Sequence, residues 1–397
     1  MSCFAAWSTS ARLVRLTAIM PQKPTAAAHA FHGGRFFEAI GTDFQDLARA
    51  QQVISADVLD AWFDPSPRVL NKLREYLPFL SRTSPPMHGE GLIKTISEVR
   101  TIPRANLCVG GGSSQLIFAC LPELTGRNGR VLLLDPTYGE YSHVLGPVLC
   151  RDVHRHTLRE DSGFRIDRSQ FLEHARRMQP ELVVIVNPNS PTGQHWPREE
   201  LTEFIRQLPE TRILVDETYI DYVSPKESLE REIGQFNNLV IIKSMSKAYA
   251  LSGLRAAYLV AQEEIARSMA RRLPPWSVSL PAQVAAVEAL QDPEYYQRRY
   301  DETHALRAET LNLLTDVPEL QLFDSCANFY LVKTEQSAAL LQSQLENQGI
   351  FVRHCDSMGL QFHDNFLRIA VKTREQNARI AAAVKSTVWL SLAANAD

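Results

Sequence analysis

Four apolar runs in this chain end in residues that can do chemistry. RVLLLDP (130–136) leads into Asp135–Tyr138, ELVVIVNP (181–188) into Asn187–Ser190, RILVDE (212–217) into Asp216–Tyr219, and LVIIKS (239–244) into Ser244–Lys247. A lysine at the end of a buried strand, Lys247, could form a Schiff base with an aldehyde if its surroundings keep the amine partly neutral. Standing alone, it reads as a solvated surface lysine. A buried carboxylate, Asp216, could hold a pyridine nitrogen protonated and turn the ring into an electron sink, whereas alone it reads as a helix cap or a core aspartate. Tyr219 could donate to a phenolic oxygen of the same ring, and alone it is a packing residue. Arg255, eight residues past the lysine, could fork onto a phosphate dianion, with Ser244 and Ser246 as further donors. GGGSSQ (110–115) opens a helix over Ser113–Leu121 whose free N–H groups suit a phosphate, the alternative being a plain tight turn. Jointly these roles describe one cofactor, pyridoxal 5′-phosphate.

The elements that position such a set can be read from the apolar pattern. Continuous apolar runs mean strands buried on both faces, hence a sheet covered by helices. AAYLVA (256–261) adds a fifth run, and REELTEFIRQL (198–208) places Leu201, Phe204, Ile205 and Leu208 at helical spacing. Ligands of open α/β sheets bind beyond the carboxyl ends of the strands, where the four clusters fall. From about residue 285 the pattern changes to long polar helices and separate short strands (NFYLVK, IFVRH, FLRIAV). The expected fold class is α/β, a large domain with a mostly parallel sheet that binds the cofactor plus a smaller α+β domain. Its expected parts are a flexible leader over 1–29, an N-terminal segment over 30–75 that joins the small domain, the large domain over 76–284 and the small domain over 285–397.

Composition excludes several function classes. Of 397 residues, 45% are apolar and 22% charged, as in ordinary soluble proteins and unlike disordered, collagenous or coiled-coil chains. The 42 Lys plus Arg against 45 Asp plus Glu are interspersed, which argues against nucleic acid and anionic membrane as partners. No apolar run approaches the length of a membrane span. Six cysteines, with no CxxC pair and no histidines at metal spacing, indicate neither a disulfide framework nor a metal site. A reducing, cytoplasmic compartment fits. The first twenty residues lack the apolar core and cleavage site of a secretory signal. An organelle transit peptide and a true start at Met20 are both compatible with them.

NPNSPTG (187–193), DETYIDY (216–222) and SMSKAYALSGLR (244–255) resemble, in this order, the signature blocks of the class I/II aminotransferases, the fold-type I pyridoxal-phosphate enzymes. The resemblance covers about residues 30–390. Within the superfamily the chain is similar to the branch of histidinol-phosphate aminotransferase and threonine-phosphate decarboxylase. HGG (32–34), PPWSVSLPAQ (274–283) and the tail VRHC…FLRIAVKTREQN (352–377) lean towards the latter. The resemblance implies that Lys247 is the Schiff-base lysine and proton shuttle, Asp216 the partner of the ring nitrogen and Tyr219 the donor to O3′. Tyr138 matches the aromatic stacked on the ring. Gly112, Ser113 and Ser114 match the phosphate cradle that Ser244, Ser246 and Arg255 complete. Arg368 resembles the arginine that clamps an α-carboxylate, Arg353 one that grips a substrate phosphate, and His32 is a further substrate contact. A homodimer is implied as well.

The chain departs from the family in three places. The asparagine expected before PTG, which bonds O3′ of the cofactor in the family, is Ser190 here, with Asn189 one place earlier, and the resemblance implies that these two are cofactor contacts. DVLDAWFDPSP replaces an Asn-rich stretch near 57–67. RTSPPMHGEGL (82–92) lacks the tyrosine that crosses to a neighbouring subunit, and His88 is a candidate substitute. The expected substrate is a small amino acid or amine, phosphorylated or doubly charged. Transamination leads, with decarboxylation, elimination and cyclisation as alternatives on the same scaffold. A cofactor-binding regulator and a catalytically dead scaffold are the rivals of another class. The shortness of the leader and the slightly acidic balance of the chain disfavour the first, and the intact Asp216, Tyr219 and Lys247 the second.

Overall fold

A computed structural model describes residues 33–394, so the leader over 1–29 and His32 lie outside the described residues. Twelve strands form two sheets among them. The larger takes β2 (Leu107–Gly110), β3 (Arg130–Asp135), β4 (Asp152–Thr157), β5 (Leu182–Val186), β6 (Arg212–Asp216), β7 (Leu239–Ser244) and β8 (Ala257–Ala261) in the order β2-β8-β7-β6-β5-β3-β4. β4, β3, β5, β6 and β7 run parallel, while β8 is antiparallel to both β7 and β2. The continuous runs behave as their composition requires. All five residues of β5 are buried, and each such side chain contributes about 1.5–3 kcal/mol by leaving water.

β1 (Ile54–Ala56), β9 (Leu320–Phe323), β10 (Phe329–Thr334), β11 (Ile350–His354) and β12 (Phe366–Ala370) form the second sheet in the order β1-β11-β12-β10-β9. β1 pairs in parallel with β11, so the N-terminal segment contributes a strand to the sheet built by the C-terminal part of the chain. Helices Pro293–Leu314 and Arg374–Ala394 pack against each other beside this sheet.

Expected strands and observed ones agree to within a residue or two, and the helix expected over 198–208 spans Arg198–Arg206. The edge strand β4, DVHRHT, has no apolar run. Its residues are intermediate or exposed, and it is fixed by its register with β3 alone.

The turn that carries Lys247 is held from behind by aromatic hydroxyls. Tyr222 donates to the carbonyl of Lys247 at 3.0 Å, Tyr300 to that of Ala248 at 3.1 Å and Tyr296 to that of Tyr249 at 3.4 Å. Tyr249 in turn accepts from Arg100, a buried guanidinium bonded to both carboxylate oxygens of Asp221 at 3.1 Å. Lys243 reaches Asp221 at 3.4 Å and Glu230 at 3.2 Å in the same buried network. Removing one member of such a network strands the opposite charge.

Glu217 sits at its edge, bonded by Ser228 Oγ and by Leu229 N at 2.7 Å, and burial pushes its carboxyl up to about 7. A carboxyl raised above its unfolded value makes the folded state bind more protons, so stability falls as pH rises from about 4.5 to about 7. Glu217→Gln should remove that slope, on the order of 3 kcal/mol across the window, in urea titrations at stepped pH. Parallel curves for the wild type and the Glu217→Gln variant would contradict the assignment.

Candidate active site

Where the large sheet's carboxyl ends meet the segment after β1, a cavity of about 250 Å³ opens. Its wall includes Ser113, Ser114, Tyr138, Asp216 and Tyr219, together with Ser244, Ser246, Lys247, Arg255 and Arg368. Ten of the residues expected from the sequence therefore converge, and the ends of β6 and β7 supply the two at its centre.

Asp216 closes β6 fully buried. Its Oδ2 accepts from the Tyr141 hydroxyl at 2.8 Å, and its Oδ1 from Thr218 N at 3.0 Å and Thr218 Oγ1 at 2.6 Å. Burial nevertheless raises its pKa above the ordinary carboxylate value, because these neutral donors offset only part of the lost hydration. A cationic N–H is the complement such a carboxylate lacks. Lys247 lies on the short turn Met245–Ala248, capped by Ser244, whose side chain accepts from Ser246 N. Burial pushes its amine down, and the carboxylate of Asp60 at 2.7 Å pushes it back towards the charged form. Ser252 Oγ stands 3.4 Å from the same nitrogen.

The opposite end of the cavity suits a phosphate. Helix Ser113–Leu124 begins after Gly112, which has no side chain to cap the free N–H groups and a φ of 94°. A Cβ at Gly112 would overlap the guanidinium of Arg255, so only glycine lets that cation lie against the helix start. Arg255 is aimed by bonds to Ser246 Oγ at 3.3 Å and to the Ser252 carbonyl at 3.1 Å.

Between these ends, Tyr138 and Tyr141 meet edge to face with ring centroids 6.1 Å apart. Tyr219 packs edge-on against Phe329 at 5.3 Å, and burial raises its phenol. A helix start with an arginine for a phosphate, a buried carboxylate for a ring nitrogen, aromatic walls and an amine together fit pyridoxal phosphate.

The substrate side differs from expectation in its details. Arg368, on β12, donates to Ser190 Oγ at 2.9 Å and to the Asp57 carbonyl at 3.1 Å, while its buried Nε has no protein partner among the described residues. Ser190, expected to touch the cofactor, is thus the prop of this arginine. Asn189, also expected there, is held by Thr137, by the Pro136 carbonyl and by Thr192 at 3.0–3.1 Å, which ties its amide into the loop after β5. Arg353 stands opposite Arg368 on β11, hydrogen-bonded to Ser357 at 3.0 Å, and does not line the cavity. Burial and the neighbouring Arg368 push its guanidinium down to about 10. Tyr141, Thr218, Asp60 and Lys372 are the residues that reading the sequence missed. Tyr141 alone carried a signal, three residues after Tyr138 in the block DPTYGEY.

Comparison with known proteins points the same way. The family described as aminotransferase class I and II matches residues 79–384. A histidinol-phosphate aminotransferase of Ruminiclostridium cellulolyticum is 28% identical over 328 residues, 82% of this chain and 90% of that protein. The fold is shared with the histidinol-phosphate aminotransferase of Sinorhizobium meliloti solved in complex with pyridoxal-5′-phosphate, at a TM-score of 0.77 and 20% identity over 91% of this chain and 98% of that one. It is also shared with the L-threonine-O-3-phosphate decarboxylase of Porphyromonas gingivalis, at a TM-score of 0.73 and 21% identity over 85% and 99%.

Because burial raises Asp216, the ligand-free fold carries a cost at neutral pH that an amide would not. Asp216→Asn should make the cofactor-free protein more stable than wild type at neutral pH in urea unfolding, with the difference shrinking in acid. A variant less stable at every pH would show that the carboxylate is needed by the fold itself.

Proposed function

The chain belongs to the class I and II aminotransferases, and we propose that it moves the amino group of a small amino acid or amine whose anionic group, carboxylate or phosphate, meets Arg368. It is a pyridoxal-phosphate-dependent enzyme. The observation that carries the reading is the meeting of Lys247, Asp216, Arg255 and Arg368 on one cavity.

Bound there, pyridoxal phosphate supplies an electron sink for a bond broken at the substrate's Cα. Everything else falls to the protein. Ser113, Ser114, Ser244, Ser246 and Arg255 would hold its phosphate, Asp216 would keep its ring nitrogen protonated, and Tyr138 and Tyr219 would fix the ring. Lys247 is the group placed to take a proton from Cα and return it, since burial already draws its amine towards the neutral form. Arg368 decides which bond breaks. By gripping a carboxylate it leaves the Cα–H bond as the one Lys247 can reach, and transamination is the result.

If a substrate presented a phosphate to Arg368 instead, its carboxylate would be free to depart as carbon dioxide, the chemistry named for the Porphyromonas gingivalis relative. A second anion read by Arg353 requires that residue's bond to Ser357 to open. We place the enzyme in a reducing compartment as a homodimer. The five described cysteines are free, no helix among the described residues is long and apolar enough to cross a membrane, and Tyr76, Leu77, Phe79, Met87 and Trp276 expose apolar surface that a second copy would cover.

The test is a panel of amino acids and phosphorylated amines, histidinol phosphate among them, incubated with and without a keto-acid acceptor. The reading predicts amino-group transfer that needs the acceptor, and a loss of about 10²–10⁴ in rate for Asp216→Asn. Carbon dioxide release without any need for an acceptor would replace transamination by decarboxylation.

A further inference from the structure

Asp60 lies in the stretch that departs from the family pattern, yet it makes the closest polar contact of Lys247. Its Oδ1 is 2.7 Å from Nζ, and its side chain is 43% exposed against 22% for Lys247. It reaches over from the segment after β1, so the pair joins the two halves of the site. Nearby Asp57 is already engaged, accepting from the backbone N–H groups of Gly34, Arg35 and Val58. The charges nearest the pair are cations. Arg368 and Arg255 act on Lys247 from β12 and from beyond the turn, and buried Lys372 stands 3.5 Å from the Asp60 carbonyl. Asp216 and Tyr219 complete the surroundings, the former bonded to Tyr141 and Thr218.

We propose that Asp60 is a positioning carboxylate, holding the Lys247 ammonium in the cofactor-free enzyme and becoming the docking charge for an incoming substrate's ammonium once that amine is engaged. The docking half rests on the aminotransferase reading; the holding half does not. When Lys247 gives up its charge, a half-exposed carboxylate is left beside Lys247 at the edge of the cavity without its nearest cation. A substrate ammonium replaces it, while Arg368 receives the substrate's anion. The site then offers opposite charges to the two ends of a zwitterion. Burial pushes the Asp60 carboxyl up, but in the cofactor-free protein Lys247 and Lys372 outweigh it and hold the group below the ordinary carboxylate range.

The experiment has two arms. In the first, cofactor-free wild type, Asp60→Asn and Asp60→Glu are acylated with limiting acetic anhydride from neutral to alkaline pH, and the modification of Lys247 is followed by peptide mass spectrometry. Asp60→Asn should move the curve to lower pH, with about tenfold faster labelling at neutral pH for each unit by which the amine's pKa falls. Asp60→Glu should stay near wild type. Superimposed wild-type and Asn curves, or a Glu curve displaced as far as the Asn curve, would overturn the holding role. In the second arm, on the loaded enzyme, Asp60→Asn should raise KM about tenfold with a smaller change in kcat. An unchanged KM would overturn the docking role. The first arm needs no turnover, so it stands or fails independently of the reaction assigned to the enzyme.

Discussion

Two ionisable groups at the ends of adjacent strands are withdrawn from water, Asp216 fully and Lys247 largely, and burial disfavours the charged form of each. Asp216 is pushed up and Lys247 pushed down, in opposite directions along the pH scale and for one cause. An unpaired ion in such a place costs several kcal/mol, so the surrounding structure has to offset that cost without discharging the groups. Around Asp216 it does so with the neutral donors Tyr141 and Thr218, which leave room for a cation. Around Lys247 it does so with Asp60, delivered from the other sheet. The site is therefore complete only when β1 is paired with β11, and the docking of the two sheets is part of the chemistry as well as of the fold.

The network behind the lysine answers the same constraint. A turn with a reactive amine at its tip must not relax, and its carbonyls at 247, 248 and 249 are each bonded by a tyrosine hydroxyl. Those tyrosines need a rigid floor, and the buried cluster of Arg100, Asp221, Lys243 and Glu230 supplies it through Tyr249. Packing alone would hold the turn less specifically than directed bonds do.

Much of the cofactor side was legible in the sequence because local chemistry dictates it. Parallel strands buried on both faces show as unbroken apolar runs, and the residues after each run fall at the carboxyl edge by topology. Gly112, Ser113, Ser114, Asp216, Ser244 and Lys247 are readable for that reason. The substrate side depends on contacts remote in sequence, which no local pattern records. Asp60 meets Lys247 only through the pairing of β1 with β11, and Ser190 meets Arg368 only through the approach of β12. Asn189 is expected as a cofactor contact from its place in NPNSPTG, and its amide is held by hydrogen bonds within the loop it sits in, which that place does not reveal. The strand β4 was invisible for a different reason, being a polar edge held by register rather than by burial.

Three buried or half-buried lysines lie within or beside the site, and only one has its amine at the cavity. Lys243 is locked among carboxylates, and Lys372, pushed down to about 8 by burial, sits against the Asp60 main chain. Loading the protein with pyridoxal phosphate, reducing it with borohydride and mapping the labelled peptide tests the central claim most directly. The structure predicts the label on Lys247, in the peptide that contains Ser244–Lys247. A label on Lys243 or Lys372 instead would contradict it.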